Sequence, residues 1–249
     1  MATTAILSAL AQEQQGLIER LQGARRVQRA GRDYWQGWLH GQPVVLALSR
    51  IGKVAAATTT TTLIEAFAVQ RVIFTGVAGG LGTGVHIGDL VVATGFVQHD
   101  MDASPLFPRF EIPLYGQAGF DCDAALSGLL AQACHLSLAD PPAAVPARAS
   151  GVHRGLIVSG DQFVSTAQAA SQLQAALRAV GMEPLAVEME GAAVAQVCHD
   201  YGIPFAAVRT ISDRADDDSP ADFQHFVTHV ASHYACAIVE HLMPQLPHA

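Results

Sequence analysis

Apolar residues come in short runs that are separated by polar or glycine-rich segments along most of the chain. Six such runs predict strands: Ile6–Leu10, Val72–Thr75, Asp89–Val97 (as a strand pair), Gly155–Ser159, Leu185–Val187 and Phe205–Val208. Two more, Tyr34–Leu39 and Val44–Leu48, predict a hairpin across residues 40–43. Longer segments predict helices: Gln12–Gln22, Lys53–Phe67, Ala124–Leu136, Thr166–Val180, Gly191–Val197 and Phe223–Leu242.

The alternation of strands with helices predicts an α/β sheet. No repeat or linker divides the sequence, so residues 1–249 are expected to form one domain. Gly76–Gly84 is predicted to be a glycine-rich turn, and residues 139–150 a surface connection. Residues 102–119 contain prolines at 105, 108 and 113 and predict a long loop, a class that is often functional inside a compact domain.

Composition excludes several classes of function. Half of the residues are hydrophobic, which suffices for a large core, and the net charge of −8 argues against a nucleic-acid groove. No stretch approaches the roughly 20 apolar residues of a membrane span, and the N-terminus lacks the basic region of a secretory signal. The four cysteines are scattered without a Cys-x-x-Cys pair, which favours reduced, mostly buried thiols in a cytoplasmic protein.

Charged residues interrupt two of the predicted strand ends. Glu188, Glu190, Arg209 and Asp213 lie in stretches whose other residues are mostly apolar. Unpaired charge is costly to bury, so charges in such a setting indicate a site rather than a solvated face. Open sheets bind their ligands at strand ends. The pattern therefore predicts a small-molecule enzyme site.

The two stretches carry a resemblance to a known family. Val187–Glu190 followed by Val208–Asp213 resembles the signature of 5′-methylthioadenosine/S-adenosylhomocysteine nucleosidases, in the nucleoside phosphorylase superfamily. Four further strings match in the family's order: Ile51–Ala56, Thr75–Gly80, Gly88–Val92 and Gly155–Phe163. Six strings at plausible spacing make a chance agreement very improbable.

The resemblance implies a single-domain, three-layer fold with a mixed, partly barrel-like sheet flanked by helices. It implies hydrolysis of the N-ribosidic bond of 5′-methylthioadenosine and S-adenosylhomocysteine, with 5′-deoxyadenosine as a further substrate and no metal or organic cofactor. It also implies a cytoplasmic homodimer in methionine salvage, in which residues 99–114 lie near the partner's pocket. No nucleic acid or membrane is expected among its partners.

The resemblance also assigns catalytic roles. Asp213 is the acid that protonates N7 of adenine, and Ser212 holds it in position. Glu13 orients the nucleophilic water with the help of Arg209. A general acid near neutral pH needs a raised pKa, which an apolar setting can supply. From the residues alone, Ser212 and Asp213 also suit a helix or turn cap, and Glu13 suits a solvated first turn of a helix.

Binding roles follow in the same way. Glu190 matches the residue that accepts from the ribose hydroxyls, and Met189 the one against the sugar face. Phe163 and Val164 match the residues that flank adenine. Ile51 and Phe223 match residues that line the alkylthio end, and Val77, Ala78 and Gly79 match the strand-end turn. Core packing is the alternative for Met189 and Phe223. For Glu188 we expect only a structural hydrogen bond or ion pair.

Two departures bear on the nucleophile. The family commonly has Ser at the position of Val77 and Gly at the position of Arg50. The loss of a hydroxyl and the gain of a positive charge leave a phosphorylase open as an alternative. The unusual loop after Asp102 leaves open a nucleosidase for an aminofutalosine-type substrate. A non-catalytic nucleoside-binding protein is the third alternative.

Overall fold

A computed structural model describes residues 2–14, 16–139, 150–216, 223–227 and 230–247 of the chain. The strands found there are β1 (Thr4–Ser8), β2 (Gln22–Arg29), β3 (Arg32–Leu39), β4 (Gln42–Leu48), β5 (Arg71–Gly80), β6 (Leu90–Gln98), β7 (Gly119–Asp121), β8 (Val152–Ser159), β9 (Pro184–Glu188) and β10 (Phe205–Asp213). The helices are α1 (Ala11–Gln14), α2 (Leu17–Arg20), α3 (Lys53–Phe67), α4 (Ala124–Ser137), α5 (Ala167–Arg178), α6 (Gly191–Tyr201) and α7 (Ala231–Leu242), and residues 223–227 are also helical.

All of these strands belong to one mixed sheet, which closes on itself at one end. Its order is β10-β6-β8-β9-β5-β1-β4-β3-β2, with β7 paired to β6. Because β10 also pairs with β5 in parallel, the five strands β5, β10, β6, β8 and β9 form a closed ring. The predicted partly barrel-like, mixed sheet with flanking helices is therefore confirmed.

Helices cover both faces of the sheet. One apolar cluster joins Ala5 and Leu7 of β1 to residues of α3 and α6, such as Leu63 and Val194. A second cluster joins Ile6 of β1 to residues of α4 and α7. Successive side chains of a strand point to opposite faces, so β1 is buried on both sides, which explains its continuous apolar run.

Most predicted elements lie where the pattern places them. The hairpin is β3–β4, α3 has the predicted bounds Lys53–Phe67, and the strands near 155–159, 185–187 and 205–208 are all present. Residues 102–118 contain no helix or strand, as predicted, although Ile112 and Gln117 form an isolated bridge. Of the predicted surface connection at 139–150, residues 140–149 lie outside the described residues.

Two predictions about glycine segments were wrong. Asp89–Val97 is one strand, β6, rather than a pair; Gly95 marks a register shift against β8, and a Cβ there would lie 3.1 Å from the Phe120 carbonyl oxygen. The predicted turn at Gly76–Gly84 is strand as far as Gly80. Glycines inside a sheet allow close backbone contacts, and a one-dimensional pattern cannot distinguish these glycines from the glycines of a turn.

Three other element predictions need correction. Gln12–Gln22 is not one helix, because Gly16 has φ +88° and separates α1 from α2. Strand β2 was missed because nearly all of its residues are exposed and polar. The single helix predicted at Phe223–Leu242 is described as the segment 223–227 and α7, since Val230 has a non-helical φ of −124°.

The cysteines are buried, as predicted, and Cys122, Cys134 and Cys198 are free thiols. Burial raises the pKa of Cys122 and of Cys134 to about 12, so these thiols remain protonated near neutral pH. Within the described parts of the chain, no helix is long and apolar enough to cross a membrane.

Candidate active site

A cavity of about 430 Å³ opens where β1, β5, β9 and β10 end. All thirteen residues predicted from the sequence line it: Glu13, Ile51, Val77, Ala78, Gly79, Phe163, Val164, Met189, Glu190, Arg209, Ser212, Asp213 and Phe223. Its wall is mostly apolar, and its main polar groups are the buried carboxylates and Arg209. An apolar pocket with a few convergent polar groups is the usual form of a small-molecule site.

Glu13 is fully buried at one side of the cavity, in the short helix α1. Its Oε2 accepts from the backbone N–H groups of Ala9 and Leu10 at 2.8 and 2.9 Å, and Oε1 accepts from Val77 N at 3.1 Å. Burial raises the pKa of this carboxyl, although these N–H groups and the charge of Arg209 act in the opposite direction. The solvated-helix alternative for Glu13 is therefore wrong.

Gly76 makes the approach of Glu13 and Arg209 possible. A Cβ at position 76 would lie 3.1 Å from Glu13 Oε1 and 3.4 Å from Arg209 Nη1. A carboxylate and a guanidinium thus face the same small space beside a strand that has no side chain there. Such a pair can hold a water molecule between an acceptor and a donor.

Arg209 is held by a buried ion pair. Its Nη2 lies 2.7 Å from Glu188 Oε2, and the exposed fractions of the two side chains are 1% and 3%. The guanidinium also lies over the Phe74 ring, 3.9 Å from the centroid. The expectation that Glu188 has a structural ion pair is confirmed.

Ser212 and Asp213 end β10 and are both buried. Ser212 Oγ donates to Asp213 Oδ2 at 2.8 Å, and Ala215 N donates to Asp213 Oδ1 at 2.9 Å. The second bond is the local turn that the sequence alone suggested, so Asp213 both shapes a turn and lines the cavity. Gly79 provides the room, because a Cβ there would lie 3.0 Å from Asp213 Oδ1.

Glu190 immediately precedes α6 and lines the cavity, as does Glu188. Its Oε1 accepts from Gly52 N at 2.8 Å, the one N–H among the described residues that donates to this carboxylate. Burial, and next the charge of Glu188, raise the pKa of Glu190 to about 8. Oxygen Oε2 is left to accept from a ligand.

Aromatic and apolar side chains surround the opening of the cavity. The rings of Phe163 and Phe223 meet edge to face, with centroids 5.5 Å apart, and both Phe163 and Ile51 are exposed. Met189 and Phe223 are both half-buried and line the cavity, which favours the binding roles over core packing.

Arg50 does not contribute to the site. Its guanidinium is exposed, its Nη2 donates to the carbonyl of Gly31 at 2.6 Å, and it does not line the cavity. The prediction of added positive charge beside a nucleophile is wrong, because Arg50 has φ +63° and its side chain runs along the surface towards the β2–β3 turn.

The segment 99–114 connects with the opening of the cavity through a chain of polar contacts. Asp100 Oδ2 accepts from Asp161 N at 2.9 Å, and Asp100 Oδ1 accepts from Lys53 Nζ. Lys53 N in turn donates to Asp161 Oδ1 at 2.8 Å. These bonds tie the start of α3 and the loop before Phe163 to the beginning of this segment.

Six cavity residues were not predicted as site residues: Ala9, Leu10, Gly76, Gln162, Val187 and Glu188. Gly76, Gln162 and Glu188 adjoin predicted residues in the sequence, and this adjacency was the available signal. Ala9 and Leu10 act on Glu13 through backbone N–H groups, for which side-chain patterns give no signal. Within the described residues, no group of three or more His, Cys, Asp or Glu side chains is arranged to hold a metal ion.

Comparison with known proteins places this geometry in a family. The phosphorylase superfamily model matches residues 3–244. A 5′-methylthioadenosine/S-adenosylhomocysteine nucleosidase of Shewanella denitrificans is 36% identical over 236 residues, covering 94% of this chain and 96% of that protein. The crystal structure of the Neisseria meningitidis nucleosidase with methylthio-immucillin-A has a TM-score of 0.87 and 34% identity, covering 99% of this chain and all of that one.

A structure of futalosine hydrolase from Helicobacter pylori, a mutant, is also similar. Its TM-score is 0.86 at 31% identity, with 99% of this chain and 100% of that chain covered. The curated relative and the superfamily model, together with the cavity formed at the matching motifs, lead to one assignment. This chain belongs to the phosphorylase superfamily and, within it, to the 5′-methylthioadenosine/S-adenosylhomocysteine nucleosidase family.

Proposed function

We propose that the protein hydrolyses the N-ribosidic bond of 5′-methylthioadenosine and S-adenosylhomocysteine, releasing adenine and the thioribose. One observation carries the proposal: Glu13, Glu190 and Asp213 converge on a single, mostly apolar cavity of about 430 Å³. Each carboxyl group has a different set of hydrogen-bond donors, so the three groups suit three different tasks.

The first task is to protonate the departing base. A purine leaves more easily as a neutral molecule, so an acid must deliver a proton to a ring nitrogen as the bond breaks. Asp213 is buried at the end of β10, and the bonds from Ser212 Oγ and Ala215 N fix the plane of its carboxyl group. We assign it to adenine N7, with Phe163 and Val164 beside the ring.

The second task is to hold the ribose. Two adjacent hydroxyl groups are well matched to a carboxylate, which accepts from both. Glu190 has an oxygen left for this purpose, and Met189 next to it offers a polarizable side chain to the sugar. Ile51 and Phe223 line the part of the cavity that suits an apolar alkylthio tail.

The third task is to place a water molecule against the anomeric carbon. Glu13 and Arg209 face the space left by Gly76, where the carboxylate can accept a proton from the water as the new C–O bond forms. In the balanced reaction, water supplies the hydroxyl to the sugar carbon and the acid supplies the proton to adenine. This use of one acid and one water-activating group parallels glycoside hydrolysis.

The test is adenine release from 5′-methylthioadenosine, measured by chromatography in phosphate-free buffer and again with added phosphate. We expect the same rapid release in both buffers, with free methylthioribose as the second product. Release that requires phosphate and gives a sugar 1-phosphate would assign the protein to the phosphorylases. The exposed position of Arg50 removes one reason for that alternative, and Val77 remains the other.

A second candidate is a nucleosidase for an aminofutalosine-type nucleoside. The similarity to the Helicobacter pylori futalosine hydrolase is what favours it. The same chromatographic assay with aminofutalosine as substrate separates the two. We expect the ratio kcat/KM to be higher for 5′-methylthioadenosine, and the reverse order would make this candidate the main function.

We further infer that the protein acts as a homodimer in which residues 99–114 approach the partner's cavity. Large apolar side chains support this, because they are exposed at the cavity opening (Ile51 and Phe163), in the first turn of α3 (Val54) and in the loop (Leu106 and Leu114). Sedimentation at assay concentration tests it, and a stable monomer with full activity would contradict it.

We also infer that residues 1–249 work as one nucleosidase-type domain, in the cytoplasm and in methionine salvage. One sheet that joins every described strand supports the single domain, and buried thiols suit a reducing compartment. Accumulation of 5′-methylthioadenosine in cells that lack the protein would test the assignment to methionine salvage.

A further inference from the structure

Glu188 lines the cavity, but no catalytic task has been assigned to it. We propose that Glu188 is a positioning residue for this reaction: its carboxylate fixes the Arg209 guanidinium and the first turn of α6, which Glu190 immediately precedes, and it binds no part of the substrate. The proposal rests on the nucleosidase function proposed above and adds to it the device that aligns the water-binding and ribose-binding groups.

The hydrogen bonds of Glu188 leave no capacity for a ligand. Oε1 accepts from Ser159 Oγ and from Gly191 N at 2.9 Å. Oε2 accepts from Arg209 Nη2 at 2.7 Å, Gly191 N at 2.9 Å and Glu190 N at 3.2 Å. A carboxylate oxygen accepts about two hydrogen bonds. Glu188 is therefore saturated by the protein, whereas Glu190 receives one N–H from the described residues.

The same carboxylate caps the helix that begins beside the cavity. The Glu190 side chain makes no capping bond of its own. Glu188 accepts from the N–H groups of Glu190 and Gly191, and Ser159 Oγ accepts from Ala192 N at 2.8 Å. A negative group at this end of a helix is stabilising because the first N–H groups have no partner within the helix.

This first turn has little room to relax. A Cβ at Gly191 would lie 2.2 Å from a ring carbon of Phe96, so the backbone is packed directly against that ring. Glu190 immediately precedes this glycine. Any rearrangement of the cap at Glu188 would therefore change the direction in which the Glu190 carboxylate points.

Glu188 also holds Arg209 in place for the water. The guanidinium is bound by Glu188 on one side, lies over the Phe74 ring, and reaches the Phe74 and Val208 carbonyls with Nη1 at 3.3 Å. Breaking a buried ion pair leaves a buried charge without its partner, which forces the remaining side chain to move or admit water. Loss of Glu188 would thus displace the group that faces Glu13 across Gly76.

Charge gives a readout that a purely structural role would not affect. The charged groups that face Glu190 are Glu188 from β9, Glu13 from α1 and Arg209 from β10, and the N–H of Gly52 faces it from the start of α3. Glu188 raises the pKa of Glu190, so removal of the Glu188 charge shifts the ionisation of Glu190 to lower pH.

The experiment compares wild type, Glu188→Gln, Ser159→Ala and the control Asp123→Ala in the adenine-release assay from pH 5 to 9. Asp123 caps α4 through Leu126 N at 2.8 Å and does not line the cavity, so its loss removes a helix cap without touching the site. The wild-type result alone tests the proposed function: no adenine release rejects that function before any variant is compared.

For Glu188→Gln we expect kcat to fall by about 10- to 100-fold, the scale on which misplacing catalytic groups acts, with KM within about threefold of wild type. In the pH profile of kcat/KM, the ascending limb, which reports the ionisation of Glu190, should move to lower pH. In Asp123→Ala, kcat and this limb should match wild type. A rise in KM at unchanged kcat would make Glu188 a substrate ligand and overturn the proposal, as would an unmoved limb.

Ser159→Ala keeps the test available if Glu188→Gln does not fold. It removes one donor to Glu188 and the bond to Ala192 N, but it leaves the negative charge in place. We expect kcat to fall by about fivefold, the usual scale for one hydrogen bond, with the pH limb unchanged. An unchanged kcat in this variant would overturn the proposal.

Discussion

The backbone N–H of Val77 donates to Glu13 Oε1 over 3.1 Å, so position 77 holds this carboxylate through its main chain, whatever its side chain. The family commonly has Ser here, and the change to Val removes a hydroxyl from the cavity while the bond to Glu13 remains. The departure therefore alters the wall of the cavity rather than the anchoring of Glu13.

Restoring the hydroxyl separates these two effects. In Val77→Ser we expect adenine release to become several-fold faster, because a polar group returns beside the proposed water and ribose positions. Val77 packs against the apolar cluster shared by α4 and α7, so the free energy of unfolding should fall by about 1–2 kcal/mol. Chromatography and urea unfolding measure the two. Unchanged turnover, with or without phosphate, would mean that position 77 is only packing.

Gly76→Ala should damage the site more than the fold. The new Cβ would lie 3.1 Å from Glu13 Oε1 and 3.4 Å from Arg209 Nη1, so one of these side chains must move. We expect kcat to fall by about 100-fold, the scale of a small misplacement of catalytic groups. The matched control is Gly128→Ala in α4, where a Cβ meets no atom within 4 Å. That variant should keep full activity and gain up to about 1 kcal/mol of stability. Equal activities of the two variants would contradict the role given to the space beside Gly76.

Asp213→Asn tests the proposed general acid. The amide oxygen can still accept from Ala215 N and the amide NH2 can donate to Ser212 Oγ, but the amide cannot deliver the proton to adenine, so turnover should fall by about 100-fold or more. Calorimetric titration with adenine should give an affinity close to that of wild type. Near-normal turnover would remove Asp213 from the mechanism.

Glu190 should impose a pH dependence on stability. Its pKa is about 8 in the folded protein and near 4.5 when unfolded, so between these values the folded state binds the additional proton. Stability linked to this group is therefore fully present below about pH 4.5 and is lost as pH rises towards 8. Glu190→Gln removes the ionisation. The free energy of unfolding, measured with urea at pH 5 and pH 8, should fall less over this interval in the variant than in wild type. An identical fall in both proteins would mean that Glu190 ionises at its usual pKa.

Arg50→Gly should leave catalysis unchanged. Arg50 has φ +63°, a conformation that glycine adopts without steric cost, and its guanidinium contacts the exposed carbonyl of Gly31 rather than the cavity. We expect a rise in thermal stability equivalent to about 0.5–1 kcal/mol. The turnover of the variant should equal that of wild type, both with and without added phosphate. Loss of a phosphate-dependent activity in this variant would contradict this prediction and would mean that Arg50 contributes to the site.

The sequence was most informative where charge interrupts apolar strands. Glu190, Arg209 and Asp213 were predicted from such interruptions, and the motifs around them were specific enough to identify the family. The helix α3 was also predicted within its observed bounds, even though its threonines are poor helix formers; Thr58, Thr59 and Thr60 bond back to carbonyls four residues earlier.

What the sequence did not reveal depends on contacts between distant segments. The glycines at 76 and 79 resemble a turn in one dimension, and only the close approach of Glu13 and Asp213 explains them inside a strand. Arg50 was expected near the nucleophile because it adjoins a site motif, but its positive φ directs the side chain to the surface. Backbone donors such as Ala9 N have no signature in the side chains at all.

The closure of the sheet has a consequence for solubility. Because β5, β10, β6, β8 and β9 form a ring, the long unpaired edge among the described strands is that of β2 at the other end. Its exposed arginines Arg25 and Arg29 would meet the same charges on the β2 edge of another molecule. Repulsion between these like charges opposes the pairing of one β2 edge with another, and such pairing is the step by which copies would add strand to strand into fibres.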